Sequence, residues 1–175
     1  MKVDLYTDAG VDQRTFAAQW ATVAIVEGVA EPIEAFGRLR ADTNCSATAE
    51  CRAIGNALYS LARAGHLPRG AIVRVYSDSR HAVDRIEGRL KGRPDSTMAS
   101  AVSVIRAFVE KLGINLRAFW IPGHKPDDHS PHARWNNRCD ALCRQARGLP
   151  RPSPARKALD AARRLSGGPK ERIAP

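Results

Sequence analysis

The chain has 175 residues, 43% of them apolar, with 28 Lys and Arg against 18 Asp and Glu. That is length for one domain with a core large enough to need no staples, and no run of apolar residues is long enough to span a membrane. A net charge of +10 favours a polyanionic partner, nucleic acid before a membrane surface, since no basic helix carries bulky apolar residues on its other face. No apolar stretch before a cleavage-like site marks a secretory signal, so a cytoplasmic protein is expected. Cys45, Cys51, Cys139 and Cys143 lack C-x-x-C spacing and read as buried thiols, not as a zinc site.

In chain order, Lys2 to Gly10 (KVDLYTDAG) reads as a strand that ends in Asp8, with Ala9-Gly10 as the turn. Val3, Leu5 and Thr7 fall on one face; Asp4, Tyr6 and Asp8 fall on the other. Phe16 to Glu27 and Pro32 to Arg40 read as two further strands, and the short links predict an antiparallel meander. The period then changes. Ile54, Ala57, Leu58, Leu61 and Ala62 recur at helical spacing, with Ser46 as the expected cap, Glu50 in the first turn and Gly65 as the stop.

Ala71 to Asp78 is a compact fourth strand, again ending in Asp. A strand that follows a crossover helix is expected to run parallel to an earlier one, which brings Asp78 to the same edge as Asp8. A short helix from Ser79 to about Leu90 and a link at 91–94 lead to an amphipathic helix. Asp95 or Ser96 caps it, and Gly113 ends it. Ile114 to Ile121 is the fifth strand. A loop rich in Pro, His and Asp (122–132) precedes a last helix near 134–147. Residues 148–175 hold five prolines, seven Lys or Arg and two acids, a basic tail expected to be disordered.

Each acid has an ordinary explanation by itself. Asp8 could terminate a strand, Glu50 could complement a helix dipole, Asp78 could cap the next helix, and Asp140 could sit on a solvated helix face. Together they fit those roles less well. Parallel pairing of the first and fourth strands sets two carboxylates side by side, where like charges repel unless a cation lies between them. Oxygen ligands without His or Cys suit Mg²⁺ or Mn²⁺. A pair of such ions about 4 Å apart is a known device for in-line phosphoryl displacement.

Through LYTDAG, TNCSATAECRAIGNAL, VRVYSDSRHAV and FWIPGHKPDDHSPHARWNNRCDAL, residues 1–147 resemble the ribonuclease H family, type 1. The most specific element is Trp120, Gly123 and His124 followed by Asn137 to Asp140. The resemblance implies an α/β fold with a five-stranded mixed sheet: three antiparallel strands and then two parallel ones, flanked by helices. It implies hydrolysis of the RNA strand of RNA–DNA hybrids, leaving 5′-phosphate and 3′-hydroxyl ends, with Mg²⁺ (or Mn²⁺) as two ions per site; separately, a monomer is expected. Carried over by position, Asp8 bridges both ions, Glu50 and Asp78 hold metal, and Asp140 completes the second ion. His124 assists proton transfer or product release. Ala9, Gly10, Asn44, Ser46 and Asn136 are candidates for ribose recognition, the 2′-OH being what separates RNA from DNA.

The chain departs from the family at three places. Asp8-Ala9-Gly10 stands where a Gly-rich turn is usual. The interval from His124 to Asp140 is longer than usual, and its extra loop carries Asp127, Asp128, His129 and His132, so either later His could replace His124. Between Asp78 and Trp120 there is no long Lys-rich extension, and Arg89, Lys91 and Arg93 are a small substitute. The basic tail could serve instead as a salt-sensitive anchor. Two other readings stay open: a DNA nuclease or resolvase on the same fold, and a non-catalytic nucleic-acid-binding module.

Overall fold

A computed structural model describes residues 1–91 and 96–149. Most of the link at 91–94, the Asp95 alternative cap and the tail from residue 150 onward lie outside the described residues. The elements run β1 (Lys2–Val11), β2 (Ala18–Val26), β3 (Ile33–Arg38), α1 (Ser46–Arg63), β4 (Ile72–Ser77), α2 (Arg80–Ile86), α3 (Thr97–Leu112), β5 (Asn115–Trp120) and α4 (Pro131–Ala146). The sheet order is β3-β2-β1-β4-β5. β1 pairs antiparallel with β2, and β2 with β3; β1 pairs parallel with β4, and β4 with β5. This is the five-stranded mixed sheet expected from the sequence.

β1 lies at the centre of the sheet and is covered on both faces. Val3 and Leu5 join Ile54, Leu58, Val73 and Val75 in the larger core under α1. Tyr6 packs with Ala21, Val23, Cys139 and Leu142 under α4. The alternation of a strand explains the division, since neighbouring side chains point to opposite faces. Full burial of side chains such as Leu5 and Leu58 stabilises the fold by about 1.5–3 kcal/mol each. Bidentate bonds from Arg138 to Glu34, at 2.7 and 2.8 Å, tie α4 to β3.

Some local expectations are corrected by the structure. β1 continues to Val11, so Asp8 stands inside the strand. β2 keeps pairing along it (Asp8 with Ala21, Gly10 with Gln19, Val11 with Ala18), whereas the parallel ladder with β4 stops at Tyr6 and Tyr76. Asp8 therefore borders a notch where one neighbour has ended and the other has not. β2 begins at Ala18, because Phe16 adopts a left-handed φ of 56° in the preceding turn. Asp12 Oδ1 holds that turn by accepting from the Arg14 and Thr15 amides at 2.9 and 3.0 Å.

The N-cap of α1 is Cys45, and Ser46 is its first helical residue, so Glu50 falls in the second turn. Of the two candidate caps for α3, Ser96 does the work, accepting from the Ala99 amide at 3.1 Å. Gly113 ends that helix at φ 61°. α4 starts earlier than expected: Ser130 caps it, and Pro131 at the first position needs no donor there. Among the described residues no helix is long and apolar enough to cross a membrane.

Candidate active site

The notch beside β1 collects carboxylates from three elements. Asp8 comes from β1, Asp78 from the residue just after β4, and Glu50 from α1, which crosses the sheet beneath them. Ligand oxygens of the three lie within 4.8 Å of one another. Glu50 is only 5% exposed. Its Oε1 accepts from the Ala9 amide at 3.1 Å and its Oε2 from the Ser77 hydroxyl at 3.5 Å. Burial, then the charges of Asp8 and Asp78, hold the Glu50 carboxyl well above the usual carboxylate range. Asp8 is pushed up to about 6 by burial first, then by Asp78 and Asp140.

Among the described residues no Lys or Arg forms an ion pair with any of these three. Clustered carboxylates, with Asp8 and Glu50 raised in proton affinity and no Lys or Arg counter-charge among the described residues, are a donor set for a hard divalent cation.

Asp140 arrives from the opposite wall. Asn136, Asp140 and Cys143 form one stripe of α4, continued by its C-cap Arg147, and all four line the same cleft. Asp140 contributes to the raised proton affinity of Asp8 but stands outside the tight trio. Its Oδ2 accepts from Arg144 Nη1 at 2.5 Å, one turn along the helix.

The Trp-x-x-Gly-His segment acts on Asp78. Trp120 Nε1 donates to the Asp78 carbonyl at 3.0 Å, and the Arg80 guanidinium lies over the Trp120 ring at 4.4 Å. Gly123 packs directly against the Asp78 carboxylate, where any Cβ would overlap Oδ2. The next residue, His124, takes a left-handed φ of 52° and lines the cleft.

Of the two other candidate histidines, His132 is built into packing. Its Nδ1 is 3.0 Å from the Tyr6 hydroxyl, and its ring stacks on Tyr76 at 4.5 Å. His129 is exposed in the loop, and among the described residues neither it nor His132 lines the cleft. Ala9, Gly10, Ser46 and Asn136 line it, whereas Asn44 is exposed on the loop before α1, outside that lining.

Gln19, Arg144 and Arg147 also line the cleft, and sequence reasoning had not singled them out. The position of Arg144 one turn after Asp140 was a readable signal. Gln19 gave none, being a polar residue in an otherwise apolar strand.

A mixed sheet that presents clustered oxygen donors at the open end of its parallel pair has the donor set of a cation-dependent phosphoryl-transfer site. The family model for RNase H matches residues 1–147. The chain belongs to the RNase H family and is a ribonuclease H.

The fold is similar to that of LC11-RNase H1, isolated from compost by a metagenomic approach, in a structure with an RNA/DNA hybrid. Identity to it is 23%, with 90% of this chain and 99% of that one covered at a TM-score of 0.67. It is similar also to the N-terminal RNase H domain of Rv2228c from Mycobacterium tuberculosis, solved as a fusion with maltose binding protein (18% identity, 83% and 98% covered, TM-score 0.64). RNase H1 from the halophilic archaeon Halobacterium salinarum gives 18% identity, 83% and 97% covered, and a TM-score of 0.64. Comparison with curated proteins gives no match.

Proposed function

We propose that this cleft hydrolyses the RNA strand of RNA–DNA hybrids, leaving 5′-phosphate and 3′-hydroxyl ends, and that 1–147 is the catalytic unit. The observation that carries the reading is the trio of Asp8, Glu50 and Asp78, within 4.8 Å of one another, together with the raised proton affinity of Asp8 and Glu50. Asp8, Glu50, Asp78 and Asp140 would hold two Mg²⁺ ions, or Mn²⁺. When bound, such ions lower the pKa of a water nucleophile and stabilise charge on the attacked phosphate and the leaving oxygen.

The chain's own residues do the rest. The Ala9 amide and Ser77 hydroxyl orient Glu50, and Trp120 and Gly123 fix Asp78 from the far side. His124, exposed at the mouth of the cleft, is placed to carry a proton to or from the leaving oxygen. Arg144 of α4 and its C-cap Arg147 add positive charge for the phosphate backbone, and the basic tail adds a salt-sensitive anchor.

The test is cleavage of a labelled RNA–DNA hybrid beside RNA–RNA and DNA–DNA duplexes, in Mg²⁺ or Mn²⁺, with the wild type and Asp8→Asn. The expected result is cutting of the RNA strand in the hybrid alone, abolished by EDTA and by the substitution. Salt-dependent binding without cutting would refute the proposal. Cutting of DNA would move the chemistry to the other backbone.

A further inference from the structure

His124 stands on a loop with little to hold it. Residues 124–129 are exposed, and His124 has a left-handed φ of 52°. A residue other than glycine keeps that conformation only where its surroundings impose it. On one side the restraint is Gly123, packed against the Asp78 carboxylate. On the other side it comes from α4. Asn137 Nδ2 donates to the Lys125 carbonyl at 2.8 Å and to Asp127 Oδ1 at 2.7 Å. Among the described residues, no other hydrogen bond joins 122–128 to an element of the fold; the bond from the His129 amide to the Pro126 carbonyl is internal to the loop.

The chemistry of this clamp is specific to a carboxamide. Its nitrogen carries two hydrogens, and here each meets an acceptor. A carbonyl and a carboxylate can only accept, so the amide group is fixed in one orientation. An Asp at position 137 would set its charge against Asp127, and an Ala would leave both acceptors to water. Asn137 lies three residues before Asp140, and residues at that spacing are neighbours on a helix surface. The clamp therefore ties the residue after His124 to the turn of α4 that brings Asp140 to the cleft. It also gives a task to Asp127, an acid of the lengthened loop.

We propose that Asn137 is a positioning residue for His124, holding the loop through Lys125 and Asp127 so that the imidazole stays at the mouth of the cleft. The inference rests on the hybrid-cleaving reading above and on the proton role given there to His124.

The experiment is steady-state cleavage of an RNA–DNA hybrid in Mg²⁺ by the wild type, Asn137→Ala, His124→Ala and the double variant. Asn137→Ala is expected to lose about tenfold in kcat with KM unchanged. Added to His124→Ala, it should cost nothing further, because the group it positions is already gone. A wild-type kcat for Asn137→Ala overturns the proposal, as does a loss carried by KM. A loss of the same size in the His124→Ala background also overturns it, being the mark of a residue that acts on the fold alone. A fully active His124→Ala overturns it too, since nothing would need positioning. If Asn137→Ala does not fold, the exposed end of the clamp decides. Asp127→Ala should lose about threefold in kcat, and Asp127→Asn, which keeps an accepting oxygen, should lose nothing. A loss absent from the first or shared by both overturns the proposal. Failure of the wild type to cut any hybrid would instead sink the underlying reading, so the two failures are distinguishable.

Discussion

β1 carries two acids, Asp4 and Asp8, on the face it shares with the β4 side of the sheet, and the protein treats them in opposite ways. At one end Asp4 lies directly across from Arg74 in the parallel ladder, and the pair forms two bonds of 2.5 and 2.6 Å. Four residues further along the same strands, Asp8 meets Asp78, and a third carboxylate, Glu50, joins them. The first pair is neutralised within the chain. The second is left negative, partly buried and without a basic partner among the described residues. Proteins break the rule of satisfied charge mainly where function requires it, and here the break falls at the open end of the parallel pair. The lower half of β1, by contrast, has Val3 and Leu5 fully buried in an apolar core.

The largest test of that contrast removes one charge from the upper group. Asp78→Asn should lower hybrid cleavage by about a thousandfold or more, as loss of a group acting within a catalytic unit commonly does, while the metal-free protein becomes more resistant to heat. A variant that lost activity and stability together would show that Asp78 serves the fold.

A second test uses pH. Asp8 has a folded pKa of about 6, above its ordinary value of 3.8. The folded state therefore binds more protons than the unfolded one between those values. The stability Asp8 contributes is complete below about 4 and is lost as pH rises through 6. With EDTA present, the Tm of the wild type should fall over that window relative to Asp8→Asn, and Mg²⁺ should raise it more at neutral pH than at pH 5. A Tm difference independent of pH would contradict the arrangement. The smallest effect belongs to the lower pair. Arg74→Ala removes an exposed ion pair worth about 0–1 kcal/mol and should leave cleavage unchanged in the same assay.

Much of this was legible in the chain. The change from period two to helical spacing at Ser46 announced the crossover, and the crossover fixed β4 parallel to β1. Element order alone therefore sets Asp8 and Asp78 at one edge. The Gly-His element identified the loop that reaches the cleft. Local periodicity and element order are properties of the chain itself, so they survive without tertiary information.

What only the tertiary structure decided depends on contacts between distant elements. β1 runs past Asp8 because β2 continues to pair with it, a fact set by the partner strand and not by Ala9-Gly10. His132 is held in packing by Tyr6 and Tyr76, residues 126 and 56 positions away, while His124 lines the cleft that holds the acids. Asp140 stands apart from the trio because α4 approaches from the other face of the sheet and Arg144 holds it. Gln19 was invisible for the same physical reason. It joins the cleft lining because β2 pairs it with Gly10, a placement set by the strand ladder.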